Sequence, residues 1–241
     1  MRAPAKLNLC LYVGPPRADG YHPLVSVFQS VTLADELTFE AADRDEVVCP
    51  GVRGPNLAER ALAASRAAGW DGPPTRVTIR KRIPVAAGLG GGSADAAAVL
   101  RWTGAHGVAA SLGADVPFQL RTGRALVTGI GERLEPLQAG PERAFVILPS
   151  RHELSTPAVY AEADRLGTPR DLATADVSER VNDLQDAARS LCPEIDERLA
   201  LLGDGALVAG SGPTVFKAYA DPDEAARVAA SLPGSILTHP C

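Results

Sequence analysis

Polar and apolar positions first alternate along Lys6 to Val13 (KLNLCLYV), which predicts a strand. Pro15-Pro16-Arg17-Ala18-Asp19-Gly20 then supplies turn chemistry, and Val25 to Leu37, rich in Val, Phe, Thr and Leu, reads as further strand. Asn56 to Ala68 follows helical spacing, with Asn56 as its N-cap and Gly69 as its stop. Arg76 to Ile83 alternates again and runs through Pro84 into Gly88-Leu89-Gly90-Gly91-Gly92-Ser93, after which the alanine-rich run Asp95 to Arg101 opens a helix. Ala125 to Val127 and Ala144 to Leu148 read as strands. Around Pro141 to Arg143 the chain passes into a second unit, so the expected division is 1–142 and 143–241. The second unit is expected to contain helices at Pro157–Leu166, Val181–Leu191, Ile195–Leu202 and Asp223–Leu232, and strands at Ala206–Val208 and Thr214–Tyr219.

Composition narrows the chemistry. With aromatic residues at 5% and apolar residues at 46%, the core must be built from small aliphatic side chains and close element packing. A net charge of −5 gives no basic stripe for nucleic acid, so an anionic ligand would have to be met by local cations and backbone N–H groups. The cysteines at 10, 49, 192 and 241 and the histidines at 22, 106, 152 and 239 have no metal-ligand spacing, and a disulfide framework is not needed at this size. Pro4 and Lys6 stand where a signal peptide would place its apolar region, and no run approaches a membrane span. The expectation is a cytoplasmic protein without membrane or nucleic-acid partners.

The segment Pro84-Val85-Ala86-Ala87-Gly88-Leu89-Gly90-Gly91-Gly92-Ser93-Ala94 has the design of an anion cradle. Small residues let the main chain fold closely around a phosphate, and the helix that follows adds its positive dipole end. It is not a Walker A loop, because Gly92 is followed by Ser93 rather than by Lys, and a dinucleotide fingerprint aligned from Gly88 would need glycine where Ser93 stands. A turn that merely packs helix against strand accounts for the loop alone equally well.

Further segments change that balance. The chain resembles the GHMP kinases in Pro4-Ala5-Lys6-Leu7-Asn8-Leu9, Arg17-Ala18-Asp19-Gly20-Tyr21-His22, Ala87 to Ala97, Gly113-Ala114-Asp115-Val116-Pro117-Phe118, Ser155-Thr156-Pro157 and Gly210-Ser211-Gly212-Pro213-Thr214-Val215-Phe216, all in the family's order. The resemblance implies a two-domain fold of α/β and α+β class. An N-terminal S5-like domain would carry the nucleotide loop, a C-terminal ferredoxin-like domain would follow, and the active site would lie between them. It implies ATP as co-substrate with Mg²⁺, and, from the Asp-Gly-Tyr-His block, a cytidine diphosphate-linked methylerythritol as the phosphoryl acceptor. Another small-molecule kinase of homoserine or mevalonate type, or an inactive ligand-binding relative, is the alternative.

The resemblance also assigns roles. Asp115 matches the catalytic aspartate, although Gly-Ala-Asp-Val-Pro would serve equally to cap or bend the chain, with Pro117 biasing Val116 towards extended structure. Lys6 matches the active-site lysine that keeps such a carboxylate ionised, and Asn8 has the same strand parity, so both can face one cleft. Tyr21 and His22 match the residues that bind the cytidine part. Phe28 and Tyr160 match further aromatic contacts, with a core role competing for Phe28, and Thr156 matches a polar contact. Ser93 is a candidate for phosphate or Mg²⁺ or for an N-cap, Asp95 reads as structural, and Gly210-Ser211-Gly212 matches a second glycine loop. No residue is expected to form a standing metal site. Departures from the family's pattern are Ala94, Ala209 and the run Trp102 to Ala110, where relatives carry an additional helix.

Overall fold

The computed structural model describes residues 1–52, 54 and 56–241. Strand β1 (Arg2–Val13) pairs antiparallel with the long β2 (Leu24–Ala41). The short β3 (Glu46–Val48), helix α1 (Leu57–Ala67), β4 (Thr75–Arg80) and α2 (Gly91–Thr103) follow. A 3-10 turn at His106–Val108 leads into α3 (Ala109–Leu112), α4 (Val116–Arg121), β5 (Arg124–Thr128) and β6 (Arg133–Pro136). Strands β3-β4-β2-β5-β6 lie in that order, and β1 completes a 6-stranded sheet through β2.

Beyond it come β7 (Ala144–Leu148), α5 (Thr156–Leu166), a 3-10 turn at Leu172–Thr174, α6 (Gln185–Leu191), α7 (Glu194–Leu202), β8 (Leu207–Val208), β9 (Val215–Tyr219), α8 (Pro222–Ser231) and β10 (Ile236–Thr238). Four of these strands form a second sheet in the order β10-β7-β9-β8.

One irregularity in β1 connects sequence to site. The strand shifts register between Asn8 and Cys10, so one extra residue changes which side chains face which layer. Before the shift Ala3, Ala5, Leu7 and Leu9 enter the core with α1 and α2, and Lys6 and Asn8 face away from it. After the shift Cys10 and Tyr12 enter that core, while Leu11 and Val13 join a second cluster with Val146, Ala187 and Val208. The N-terminal part of β1 therefore offers polar groups to a cleft, and its C-terminal part fastens the two sheets together.

Several expectations are corrected. The expected helix at 181–191 begins only at Gln185. Val181 to Asp183 runs alongside β1, because Leu11 donates to the Val181 carbonyl at 2.8 Å and accepts from Asp183 N–H at 2.9 Å. Val116 is helical rather than extended: Pro117 falls in the first turn of α4, where a missing N–H costs nothing. Helix α2 starts at Gly91, four residues before Asp95, so Ser93 lies inside the first turn and Gly90 is the N-cap. Where an additional helix was absent from the expected pattern, the chain makes the 3-10 turn and the single-turn α3. Among the described residues no helix is long and apolar enough to cross a membrane.

Candidate active site

The residues matched to a phosphate loop form a connection between β4 and α2 with no regular structure until Gly91. Gly90, at φ 70° and ψ 22°, turns the chain into the helix. The N–H groups of the first turn have no partner within a helix, and the dipole concentrates partial positive charge there. Gly91, Gly92 and Ser93 border a cleft of about 890 Å³, so this end of α2 opens on space for an anion. Gly88 is required for a separate reason. At φ 74°, a methyl group added there would lie 1.9 Å from the Ala209 carbonyl oxygen, so the first glycine loop rests directly on the second. A methyl group on Gly90 would meet the Lys6 side chain at 3.0 Å.

Strand β1 brings Lys6 to the foot of this loop. Its backbone N–H, displaced from the ladder by the register shift between Pro4 and Lys6, donates to the Leu89 carbonyl at 3.0 Å. Its ammonium donates to Asn8 Oδ1 at 2.7 Å, lies 3.4 Å from Asp115 Oδ2 and sits 4.2 Å from the centre of the Phe28 ring. Asn8 is held in turn, donating to Ser26 Oγ at 3.1 Å. The Lys6 side chain is 6% exposed and that of Asp115 29%, so the ammonium is fixed from below while the carboxylate meets the cleft. Asp115 stands at the N-cap of α4 yet makes no capping hydrogen bond. Its carboxylate faces Lys6, which separates it from an ordinary turn aspartate.

At the other end of the cleft Tyr21 is 60% exposed. His22 is buried: Nδ1 donates to the Gly14 carbonyl at 2.9 Å, and Nε2 lies 3.3 Å from Asp164 Oδ2. A carbonyl only accepts, so Nδ1 carries a proton. Tyr160 stands with its ring centre 5.1 Å from that of His22, and burial together with the Asp115 charge pushes its phenol up to about 12. Thr156, at the start of α5, shares a 2.9 Å hydrogen bond with Ser211 of the second glycine loop. Phe28 belongs to the core and also reaches the cleft. It packs edge-on to Phe118 at 5.2 Å in the core and also borders the cleft beneath Lys6. Asn56 is a true N-cap, accepting from Ala58 N–H at 2.9 Å, and likewise borders the cleft.

Three groups under the loop were not singled out together by sequence. The Lys81 ammonium bridges Asp35 at 2.5 Å and Asp95 at 2.8 Å. Asp35 also accepts from the N–H groups of Arg82 and Ile83 at 2.6 and 2.8 Å, which ties the end of β4 to β2. Burial lifts the Asp95 carboxyl to about 7, against the pull of Lys81, and Oδ1 of Asp95 has no hydrogen-bond partner among the described residues. Through Lys81, Asp95 ties the first turns of α2 to β2, and it also borders the cleft. The signal available in the sequence was a lysine and an aspartate flanking the glycine loop, which is too common to stand alone.

Comparisons with known proteins establish the family. The GHMP kinases N terminal domain matches residues 56–122, and the GHMP kinases C terminal domain matches residues 158–235. The chain belongs to the GHMP kinases. It is 42% identical to 4-diphosphocytidyl-2-C-methyl-D-erythritol kinase of Saccharopolyspora erythraea over 98% of this chain and 87% of that one. It is 40% identical to the protein of the same name from Streptomyces coelicolor, over 98% and 92%. A crystal structure of 4-(cytidine 5'-diphospho)-2C-methyl-D-erythritol kinase superposes with a TM-score of 0.83 at 34% identity, covering 100% of this chain and 98% of that one. Within the GHMP kinases, the chain's place is with this group. A mevalonate kinase structure, at 12% identity and a TM-score of 0.64, shares the fold alone.

Proposed function

We infer that the chain transfers the γ-phosphoryl group of ATP to the 2-hydroxyl of 4-diphosphocytidyl-2-C-methyl-D-erythritol. The observation that carries this reading is the 3.4 Å Lys6–Asp115 pair, set between a glycine loop at a helix N-terminus and the Tyr21–His22–Tyr160 cluster in one continuous cleft. Phosphoryl transfer needs two substrates in line and stabilisation of charge on the transferring group, with little covalent work by the protein.

Val85 to Ser93 cradle the triphosphate with main-chain N–H groups, whereas Pro84 has no N–H to offer and Ala94, expected in the cradle, is buried with its N–H spent on the Gly90 carbonyl at 2.9 Å. Asp115 accepts the proton of the attacking hydroxyl, and the ammonium of Lys6 offsets charge on the attacking oxygen. Tyr21 gives the cytosine a ring face, His22 and Tyr160 flank it, and Asn8, Thr156 and Phe28 border the path between base and phosphate.

Mg²⁺ takes few protein oxygens when it bridges phosphates, and the Ser93 hydroxyl in the first turn of α2 is a hard donor at the right end of the cleft. The residues therefore fit the ion, which would neutralise charge on the β- and γ-phosphates. Free thiols at Cys10, Cys49, Cys192 and Cys241 accord with a reducing, cytoplasmic setting where ATP is at hand.

Coupled ADP release measures the reaction directly. Turnover with the cytidine diphosphate-linked polyol, and none with mevalonate or homoserine, is the expected result. ADP release no greater than in a substrate-free control, from folded protein, overturns the reading.

A further inference from the structure

The stretch from Arg180 to Asp183 is tied along its length to three parts of the molecule. Arg180 pairs with Glu142, which pairs in turn with Arg124 of β5 at 2.6 Å. Val181 and Asp183 clasp Leu11 of β1 through their backbones, and the Asp183 carboxylate accepts from Val13 N–H at 2.9 Å. Asn182, 6% exposed, uses its whole carboxamide. Nδ2 donates to the carbonyls of Val208 and Gly210, both at 2.8 Å, and Oδ1 accepts from Leu184 N–H at 2.9 Å.

The partners of Asn182 give this significance. Val208 and Gly210 flank the start of the second glycine loop. A methyl group on Gly210 would lie 3.1 Å from the Gly88 carbonyl and 3.3 Å from Asn8 Oδ1. Asn8 Oδ1 is the atom that holds the Lys6 ammonium at 2.7 Å. Asn182 thus holds Gly210, and Gly210 leaves no room for a side chain against the Gly88 carbonyl or against the Asn8 oxygen that holds the lysine. Strand β1, which carries Lys6, is the strand on which the Asn182 segment is itself seated.

We propose that Asn182 is a positioning residue for phosphoryl transfer, fixing the Gly210–Gly212 loop at the height over Gly88 that sets the triphosphate against Lys6 and Asp115. The proposal rests on the kinase reading given under Proposed function. Both Nδ2 protons are used, one on the last carbonyl of β8 and one on the first carbonyl of the loop, so no other residue type of the same size supplies the same two bonds. A buried donor pair of this kind fixes the backbone it holds, since both carbonyls would otherwise lie buried without a donor.

Asn182→Asp is the decisive variant. It keeps the shape and the acceptor for Leu184 N–H, but turns a carboxylate oxygen towards two carbonyls. The expected result is a fall in kcat of about 10- to 100-fold, because misplacement on the scale of an ångström costs that much. KM for the cytidyl substrate stays within about twofold, because the base end is untouched. Gly210→Ala should lower kcat in the same way, and the double variant should lose less than the product of the single losses, since both act through one loop.

If Asn182→Asp does not fold, Asn182→Ser, which loses at least one of the two carbonyl bonds, takes its place in the same cycle. An unchanged kcat per folded molecule overturns the proposal, even with a lowered melting temperature. So does an equal worsening of kcat and of KM for the cytidyl substrate. No turnover in the unsubstituted protein overturns the kinase reading, and this inference with it. Normal turnover in both proteins overturns this inference alone.

Discussion

The two ends of the cleft are built differently. At the phosphate end Lys6 and Asn182 are buried, Lys81 is largely covered, and each is held by several protein groups: Lys6 by Asn8, Asp115 and the Phe28 ring, Lys81 by two aspartates, Asn182 by three backbone groups. At the base end Tyr21 is exposed, and His22 is held on one side by a partly exposed carboxylate, Asp164. Groups that stabilise developing charge gain most from being fixed before the reaction begins, in surroundings with little water. A platform for a flat base needs only a ring face and tolerates some freedom. The difference teaches that the protein invests its rigidity where charge moves and leaves the recognition end to be completed by the ligand.

Substitutions at the two ends should therefore fail in different parameters. The largest effect is expected from Asp115→Asn, with kcat reduced by about 10²–10⁴-fold and KM for either substrate little changed, as steady-state kinetics would show. Equal losses in kcat and affinity would mean that both ends serve binding alike. Tyr21→Ala is expected to weaken the cytidyl substrate by about 1–3 kcal/mol, seen as a raised KM with kcat largely kept. A raised KM for ATP instead would place Tyr21 at the wrong end.

Gly88→Ala forces a methyl group onto the Ala209 carbonyl and should cost about 1–3 kcal/mol of stability, measured by denaturant unfolding. Unaltered stability would mean that the contact between the two loops yields freely. The last effect concerns pH and touches stability rather than catalysis. Asp95 holds its proton to about 7 when folded, against about 3.9 when unfolded, so between these values the folded protein binds more protons than the unfolded chain. Stability should decline as pH rises from about 4 towards 7 and then level, and Asp95→Asn should flatten that window, with Lys81 still paired to Asp35. Superimposable melting-temperature profiles for the two proteins would show that the floor of the phosphate end is not dry.

What the chain revealed beforehand follows the range of the forces involved. The parity of Lys6 and Asn8 is a property of neighbouring residues, and the structure puts both on the cleft side as that parity requires. The glycine loop and the Asn56 cap are likewise local, and both were legible. The segment at 181–184 misled because apolar spacing there mimics a helix, while its real partners, Leu11 and Gly210, are far away in sequence. Val116 misled because the rule for residues before proline yields when proline enters a helix's first turn. The strands β3, β6 and β10 were missed because each has only three or four residues, too few for a period to show. Lys81 with Asp35 and Asp95 could not be read as a unit, since only folding brings β2, the end of β4 and α2 together.

The central claim is that the triphosphate on the glycine loop and an alcohol beside Asp115 meet in line. A crystal structure with a non-hydrolysable ATP analogue and the cytidine diphosphate-linked polyol measures this directly. The account predicts an acceptor oxygen roughly 3–3.5 Å from the γ-phosphorus, in line with the bond to be broken and within hydrogen-bond reach of the Asp115 carboxylate. An acceptor hydroxyl bound away from Asp115, or a γ-phosphate turned away from Lys6, would contradict it.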